Sequence, residues 1–174
     1  MMKAIEFSGD LSIYLQEYDY QPELTGKLDG IGDQCFTQAL TNEIVLWKVN
    51  RYVRVNQKLI DELNLLTEFK NGEHRQGIKA LNMLLETHGV DLPMASTLLR
   101  FRNPQVFQII DQHAYRAVYG SKYPLYTGSP KDRKITTYFD YLDQVIELCR
   151  SKSMEFSTSD RLLYEFDKRH NGKL

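Results

Sequence analysis

What this chain has little of narrows its class first. Only two of its 174 residues are cysteine, Cys35 and Cys149, far apart in sequence. That excludes a disulfide or cysteine-metal framework and leaves a reducing compartment as the default. The four histidines, His74, His88, His113 and His170, do not fall at a metal-binding spacing, so neither a metal nor a cofactor is expected. No apolar run approaches the ~20 residues that span a bilayer. Residues Met1 to Asp10 lack the basic-then-apolar pattern of a secretory leader. The expectation is a cytoplasmic protein without a membrane partner. Positive charge is also not in excess: 22 Lys and Arg stand against 23 Asp and Glu. Any nucleic-acid affinity must therefore come from a local patch. No Gly-rich phosphate loop, nucleophile elbow or spaced cysteine–histidine pair occurs. Strand-like alternation, repeats and low-complexity tracts are missing as well.

What is there is helical periodicity. With 42% hydrophobic and 26% charged residues, the chain can bury the core of one domain of ordinary size, residues 1–174. Residues 1–34 read least clearly. Leu11, Tyr14, Leu15 and Tyr18 suggest a short amphipathic helix, and Pro22, Gly26, Gly30 and Gly32 mark a loop. The tyrosines Tyr14, Tyr18 and Tyr20 read first as half-buried packing, with a pocket wall or a base-stacking surface as the alternative. Phe36, Ala39, Leu40, Ile44 and Trp47 make one apolar face of a helix over Cys35–Arg51, with Trp47 in the core. Leu59, Leu63 and Leu66 stripe a helix over Gln57–Phe69. Another runs from Glu73 to His88, with Gly77 inside it hinting at close packing. Ile135, Tyr138, Leu142, Val145, Ile146 and Cys149 give the longest stripe, and Ser157 to Asp160 open a last helix. The whole reads as an all-α domain of seven or eight helices.

The most informative stretch is Leu81–Gly120. Leu81, Leu84, Leu85 and His88 lie on one helical face; Leu92, Ala95 and Leu99 form a second. Between them Gly89 can take a positive φ, Asp91 is a good N-cap, and Pro93 suits a first helical turn. The chemistry says helix, hairpin, helix. Asn103-Pro104 then breaks the chain. Phe107, Ile109 and Ile110 follow as a buried run, Asp111 caps a helix over Gln112–Tyr119, and Gly120 ends it.

Two pieces of this stretch resemble the helix-hairpin-helix DNA glycosylases, the superfamily of endonuclease III and AlkA-like enzymes. One is the hairpin from Leu84 to Ser96. The other is Ile110-Asp111-Gln112-His113-Ala114-Tyr115-Arg116, which is similar to the family's Val-Asp-x-His-Val-x-Arg segment. The resemblance implies a DNA-glycosylase-like helical fold, DNA as the partner, a role in DNA repair, and Asp111 as the catalytic carboxylate. N-glycosidic cleavage builds positive charge on the sugar, and a fixed carboxylate stabilises it and helps activate water. The resemblance also implies that the hairpin amides from Gly89 through Val90 and Asp91 to Leu92 face a phosphate. Two departures stand out. Asp91 occupies the place of the second hairpin glycine, where a carboxylate would repel a phosphate. Asp91 to Thr97 contains no lysine, so the family's Schiff-base nucleophile is absent and a monofunctional enzyme is implied.

Basic residues cluster nearby: Arg100, Arg102, Arg116, Lys122, Lys131, Arg133 and Lys134. They read either as a solvated face or as a phosphate-facing rim around Asp111, with His113 a further DNA contact. The leading expectation is a monofunctional hydrolase that releases a damaged or mismatched base. The alternative is a non-catalytic helical module that binds DNA or protein.

Overall fold

Among the described residues eight α-helices form, most of them where periodic stripes lie: α1 Pro22–Asp29, α2 Gln38–Val49, α3 Gln57–Leu65, α4 Ile78–Glu86, α5 Leu92–Arg102, α6 Gln112–Tyr119, α7 Lys131–Lys152 and α8 Ser159–Asn171. The structure, a computed structural model, describes residues 1–49, 53 and 55–173. Among these residues there is no strand, and no helix is long and apolar enough to cross a membrane.

Several elements differ from the sequence reading. The expected loop around Pro22 and Gly26 is α1, with Pro22 in its first turn. Thr25 and Leu28 bury its inner face, while space around Gly26 is open, so its glycine faces outward. The N-terminal helix is a 3-10 turn, Leu11–Leu15, capped by the Asp10 carboxylate accepting from Ser12 N. The helix expected from Glu73 starts with a 3-10 turn, His74–Gly77, before α4. At that junction a Cβ on Gly77 would lie 2.7 Å from Phe107 Cζ, which is the close packing the glycine permits. On α2, Phe36 just ahead of the helix, Ile44 and Trp47 point inward as expected, but Ala39 is exposed. The expected end of that helix at Arg51 lies outside the described residues.

The centre of the molecule is α5. Leu92, Ala95, Leu98 and Leu99 are buried in it, against α2, α3 and α4. It is joined to α4 by a tight turn in which Gly89 takes φ +82°. A residue with a Cβ would be strained there. Asp91 caps α5 by accepting from Leu92 N at 2.7 Å, and Pro93 sits in the first turn.

Beyond α5 the chain runs through a buried irregular stretch, Val106–Ile110, into α6. Backbone polar groups buried outside regular structure need partners. Tyr138 and Tyr141 of α7 supply two, their hydroxyls donating to Gln108 O at 3.0 Å and Ile109 O at 2.9 Å. Ser96 of α5 supplies a third, its Oγ accepting from Ile110 N at 3.2 Å. The residue that follows, Asp111, is thereby held by two long helices at once.

Candidate functional site

Asp111 has extended backbone geometry and caps α6: its Oδ1 accepts from Ala114 N at 2.8 Å. The cap uses one oxygen. The other, Oδ2, faces Lys48 Nζ at 4.0 Å, and the carboxylate is about one-fifth exposed. Asp111 opens on a pocket of about 180 Å³ lined by Tyr18, Tyr20, Trp47, Ile109 and Tyr164, with Lys48, Asp160 and Arg161. Four parts of the chain converge there: the segment before α1, the end of α2, the N-cap of α6 and the start of α8.

The aromatic walls are locked by their own polar handles. Trp47 Nε1 donates to Thr25 Oγ1 at 2.7 Å, and Tyr20 Oη donates to Trp47 O at 2.7 Å. The Tyr20 and Trp47 rings meet edge to face at 5.3 Å; Tyr18 and Tyr164 do so at 6.2 Å. Burial pushes the phenols of Tyr18 and Tyr164 above their ordinary range, so both remain neutral hydrogen-bonding groups at working pH. Rigid aromatic faces around a small volume suit a planar ring by stacking. Asp111 and Lys48 also border a second cleft of about 330 Å³, with Asp91, Pro93, Tyr123, Leu125 and Tyr126 on its other sides. An open carboxylate oxygen and an amine thus stand between two clefts.

The remaining residues picked from the sequence are placed differently. In the hairpin, Gly89 is exposed but the side chains of Val90 and Leu92 are buried. Val90 N donates to Thr87 O and Leu92 N to Asp91, so those two amides already have partners. Asp91 is not a bare charge: Lys134 Nζ reaches its Oδ1 at 2.7 Å and also donates to Thr127 O at 2.8 Å. That lysine ties the hairpin to the loop before α7.

The basic rim expected of Arg100, Arg102 and Arg116 is corrected by the structure, because all three are buried. Arg100 is 2% exposed, with Nη1 on Asp29 at 2.5 Å, Nη2 donating to Ser157 O at 2.9 Å, and Asp160 within 3.3 Å of Nε. Arg102 donates to Leu63 O and Asn64 O of the last turn of α3 and to Gln34 O. It therefore satisfies carbonyls that a helix end leaves without partners. Arg116 grips Asp167 through Nε and Nη2 and donates to Gly172 O. His113 turns the same way, its Nδ1 donating to Asp167 Oδ2 at 2.7 Å. Of the seven basic residues in the cluster, Lys122, Lys131 and Arg133 are exposed, and Lys131 is paired with Glu86.

Sequence reasoning missed Lys48, Arg161 and Tyr164, and read Asp160 only as part of the start of the last helix. It did notice Tyr18, Tyr20 and Trp47, and favoured a packing role for them; they also line the pocket beside Asp111. Their aromatic clustering in the first 50 residues was the signal available. No protein-family profile, curated protein or solved structure matches this chain.

Proposed function

We propose that the chain is a DNA N-glycosylase-type hydrolase, which releases a damaged or mismatched base using Asp111. The observation that carries this reading is the division of labour at one carboxylate that lines an aromatic pocket: Oδ1 is fixed by the helix cap, and Oδ2 faces Lys48 Nζ at 4.0 Å with no hydrogen bond among the described residues. A base turned out of the duplex would enter between Tyr18, Tyr20, Trp47 and Tyr164, its stacking on them offsetting part of the unstacking cost. Its sugar would then lie over Asp111. As the glycosidic bond breaks, the carboxylate opposes the positive charge growing on the sugar and orients the attacking water. The Lys48 ammonium beside it supplies a cation where a phosphodiester must pass.

A second reading, a non-catalytic helical module for DNA or protein, is favoured by the burial of Arg100, Arg102 and Arg116, which leaves few phosphate-facing cations. The two separate in a base-release assay on duplexes carrying uracil, alkylated or oxidised bases, followed by alkaline cleavage. Release from at least one duplex, lost in Asp111→Asn, is the outcome expected of the enzyme. Binding without release from any of them is the outcome expected of the module.

A further inference from the structure

Helix α6 carries a second aromatic surface, which hydrolysis at Asp111 does not use. Tyr115 and Tyr119, four residues apart, share one face of the helix, and their rings stack at 4.4 Å with 30° between the planes. Tyr123, in the loop that follows, meets Tyr115 edge to face at 5.5 Å and also lines the cleft that Asp111 borders. All three rings are partly buried against the core and partly open to solvent. The row therefore runs from the Asp111 cleft along α6. Cations flank it. Lys122 and Arg133 are exposed and make no ion pair among the described residues. Arg133 stands beside Tyr115: burial raises that phenol, while Ser121 and Arg133 oppose the rise. Lys3 lies across the end of the helix, where a Cβ on Gly120 would come within 2.8 Å of its Cε. Four carboxylates lie close enough to Tyr119 or Tyr123 to disfavour their ionisation, and each faces a cation of its own. Asp140 and Asp143 share Arg75, Asp91 holds Lys134, and Asp111 faces Lys48. Among these groups the charge left unanswered is positive.

We propose that the row Tyr123, Tyr115 and Tyr119, with Lys122 and Arg133, is a track that binds single-stranded DNA. The choice of DNA rests on the reading of Asp111 given above, because the row starts at the cleft that Asp111 borders; the stacking and the charge stand without it. A ring set half out of a surface can stack only on a base whose face is free. In a duplex the neighbouring base pairs cover those faces, so the track takes an unpaired strand. Aromatic side chains interleaved with cations hold such a strand in two ways: bases stack on the rings, and the cations neutralise phosphates and release their counterions. The carboxylates that would repel the strand are already answered, so the complementarity of a cationic row to a polyanion is preserved. Every base has a face to stack on, and binding should therefore tolerate sequence.

The test uses the full chain and fluorescence anisotropy of a labelled oligothymidylate of about 12 nucleotides, a length such surfaces commonly cover. An oligouridylate and a blunt duplex of the same length are the comparison probes. The oligothymidylate should bind tightest, and its affinity should fall as salt rises. Tyr115→Leu keeps apolar packing but removes the ring, and should weaken binding about 5- to 100-fold. Tyr123→Leu serves if that variant does not fold, as judged by circular dichroism. Arg133→Gln should weaken binding several-fold and make the salt dependence shallower by about one phosphate. Arg150→Gln, exposed at the other end of α7, should change nothing. The proposal is overturned by no binding of the oligothymidylate to the wild type, by equal or tighter binding of the duplex or the RNA, or by undiminished binding in folded tyrosine and Arg133 variants. The excision reading fails separately. A protein that holds the strand through these tyrosines but releases no base from any lesion keeps the track and loses the glycosylase. One that releases a base while its strand affinity ignores Tyr115 and Arg133 keeps the glycosylase and loses the track.

Discussion

Two ion pairs use the same chemistry to opposite ends. Around Arg100, every neighbour closes in: Asp29, Asp160 and Ser157 O surround a guanidinium that is 2% exposed. Around Lys48, Asp111 at 4.0 Å is the one ion-pair partner among the described residues, and both groups border open clefts. The first arrangement has no room for a ligand and so serves the fold. The second leaves an amine and a carboxylate oxygen with capacity to spare. Charge type along the sequence does not separate the two cases; closure by partners from distant elements does. Asp160 touches both, as a partner of Arg100 and as a wall of the pocket, so the closed pair also props the open one.

Breaking the closed pair should have the largest effect on stability. Arg100→Ala leaves Asp160, 5% exposed, without its cation. Removing one partner of a buried pair typically costs about 3–5 kcal/mol. Urea unfolding should show a drop of that order; a loss below about 1 kcal/mol would mean that the cluster is not a structural centre. Asp29 sharpens the point through pH. Its burial opposes ionisation, but Arg161 and Arg100 outweigh that, and its carboxyl titrates below the usual range. A carboxylate lowered in the folded state gives its full stabilisation above the unfolded value, about 3.9, and loses it as pH falls through the folded one. The urea midpoint should therefore drop as the solution is acidified below about pH 4, and Asp29→Asn should flatten that drop.

At the open pair the effect moves from stability to rate. Asp111→Asn keeps a good N-cap and should change the unfolding free energy by only a few tenths of a kcal/mol. If Asp111 is the catalytic carboxylate, base release should fall about 10²-fold or more. Equal rates for the two proteins would remove Asp111 from the chemistry.

Between the extremes lies Asp91, partly open and partly paired. Asp91→Gly retains most of the capping but strands Lys134, which is 8% exposed, with Thr127 O as its remaining partner. A loss of about 1 kcal/mol is expected, since a hydrogen bond to a charged group is worth more than a cap exchange alone. DNA affinity should rise if the hairpin meets a phosphate; unchanged affinity would assign the hairpin to packing. The smallest effect belongs to Lys27→Ala. Its partner is Glu43 at 2.8 Å, with the lysine side chain largely in water and the glutamate half-buried. Exposed pairs contribute between about 0 and 1 kcal/mol, so thermal unfolding should hardly move.

The helical class and most helix positions were legible because apolar stripes report burial directly. The Asp111 segment and the hairpin turn were legible because caps and glycines are local chemistry. Side-chain partners were not. Nothing near Arg100 in sequence announces Asp29 or Asp160, and nothing near Arg116 announces Asp167. A window on the sequence therefore read four buried cations, Lys134 among them, as surface. Helix α1 was hidden for a similar reason: its glycine and proline signal a loop locally, but Thr25 and Leu28 have a packing surface on the rest of the molecule. The second half of the site failed the same way. Lys48 and Tyr164 meet Asp111 only once α2 and α8 are in place.

That assembly has a kinetic consequence. The pocket joins Tyr18 and Tyr20 from the start of the chain to Asp160, Arg161 and Tyr164 of the last helix, and α8 in turn packs on the 3-10 turn at Leu11–Leu15. Tyr14 Oη meets His170 at 2.5 Å and Asn171 bridges to the backbone of Met2. These are contacts of high sequence separation, and such contacts close late because of their loop-closure entropy. On the ribosome the hairpin can form as soon as α5 has emerged, while the aromatic pocket must wait for α8. A nascent chain stalled before Ser159 would hold its central helices and still have no place for a ligand.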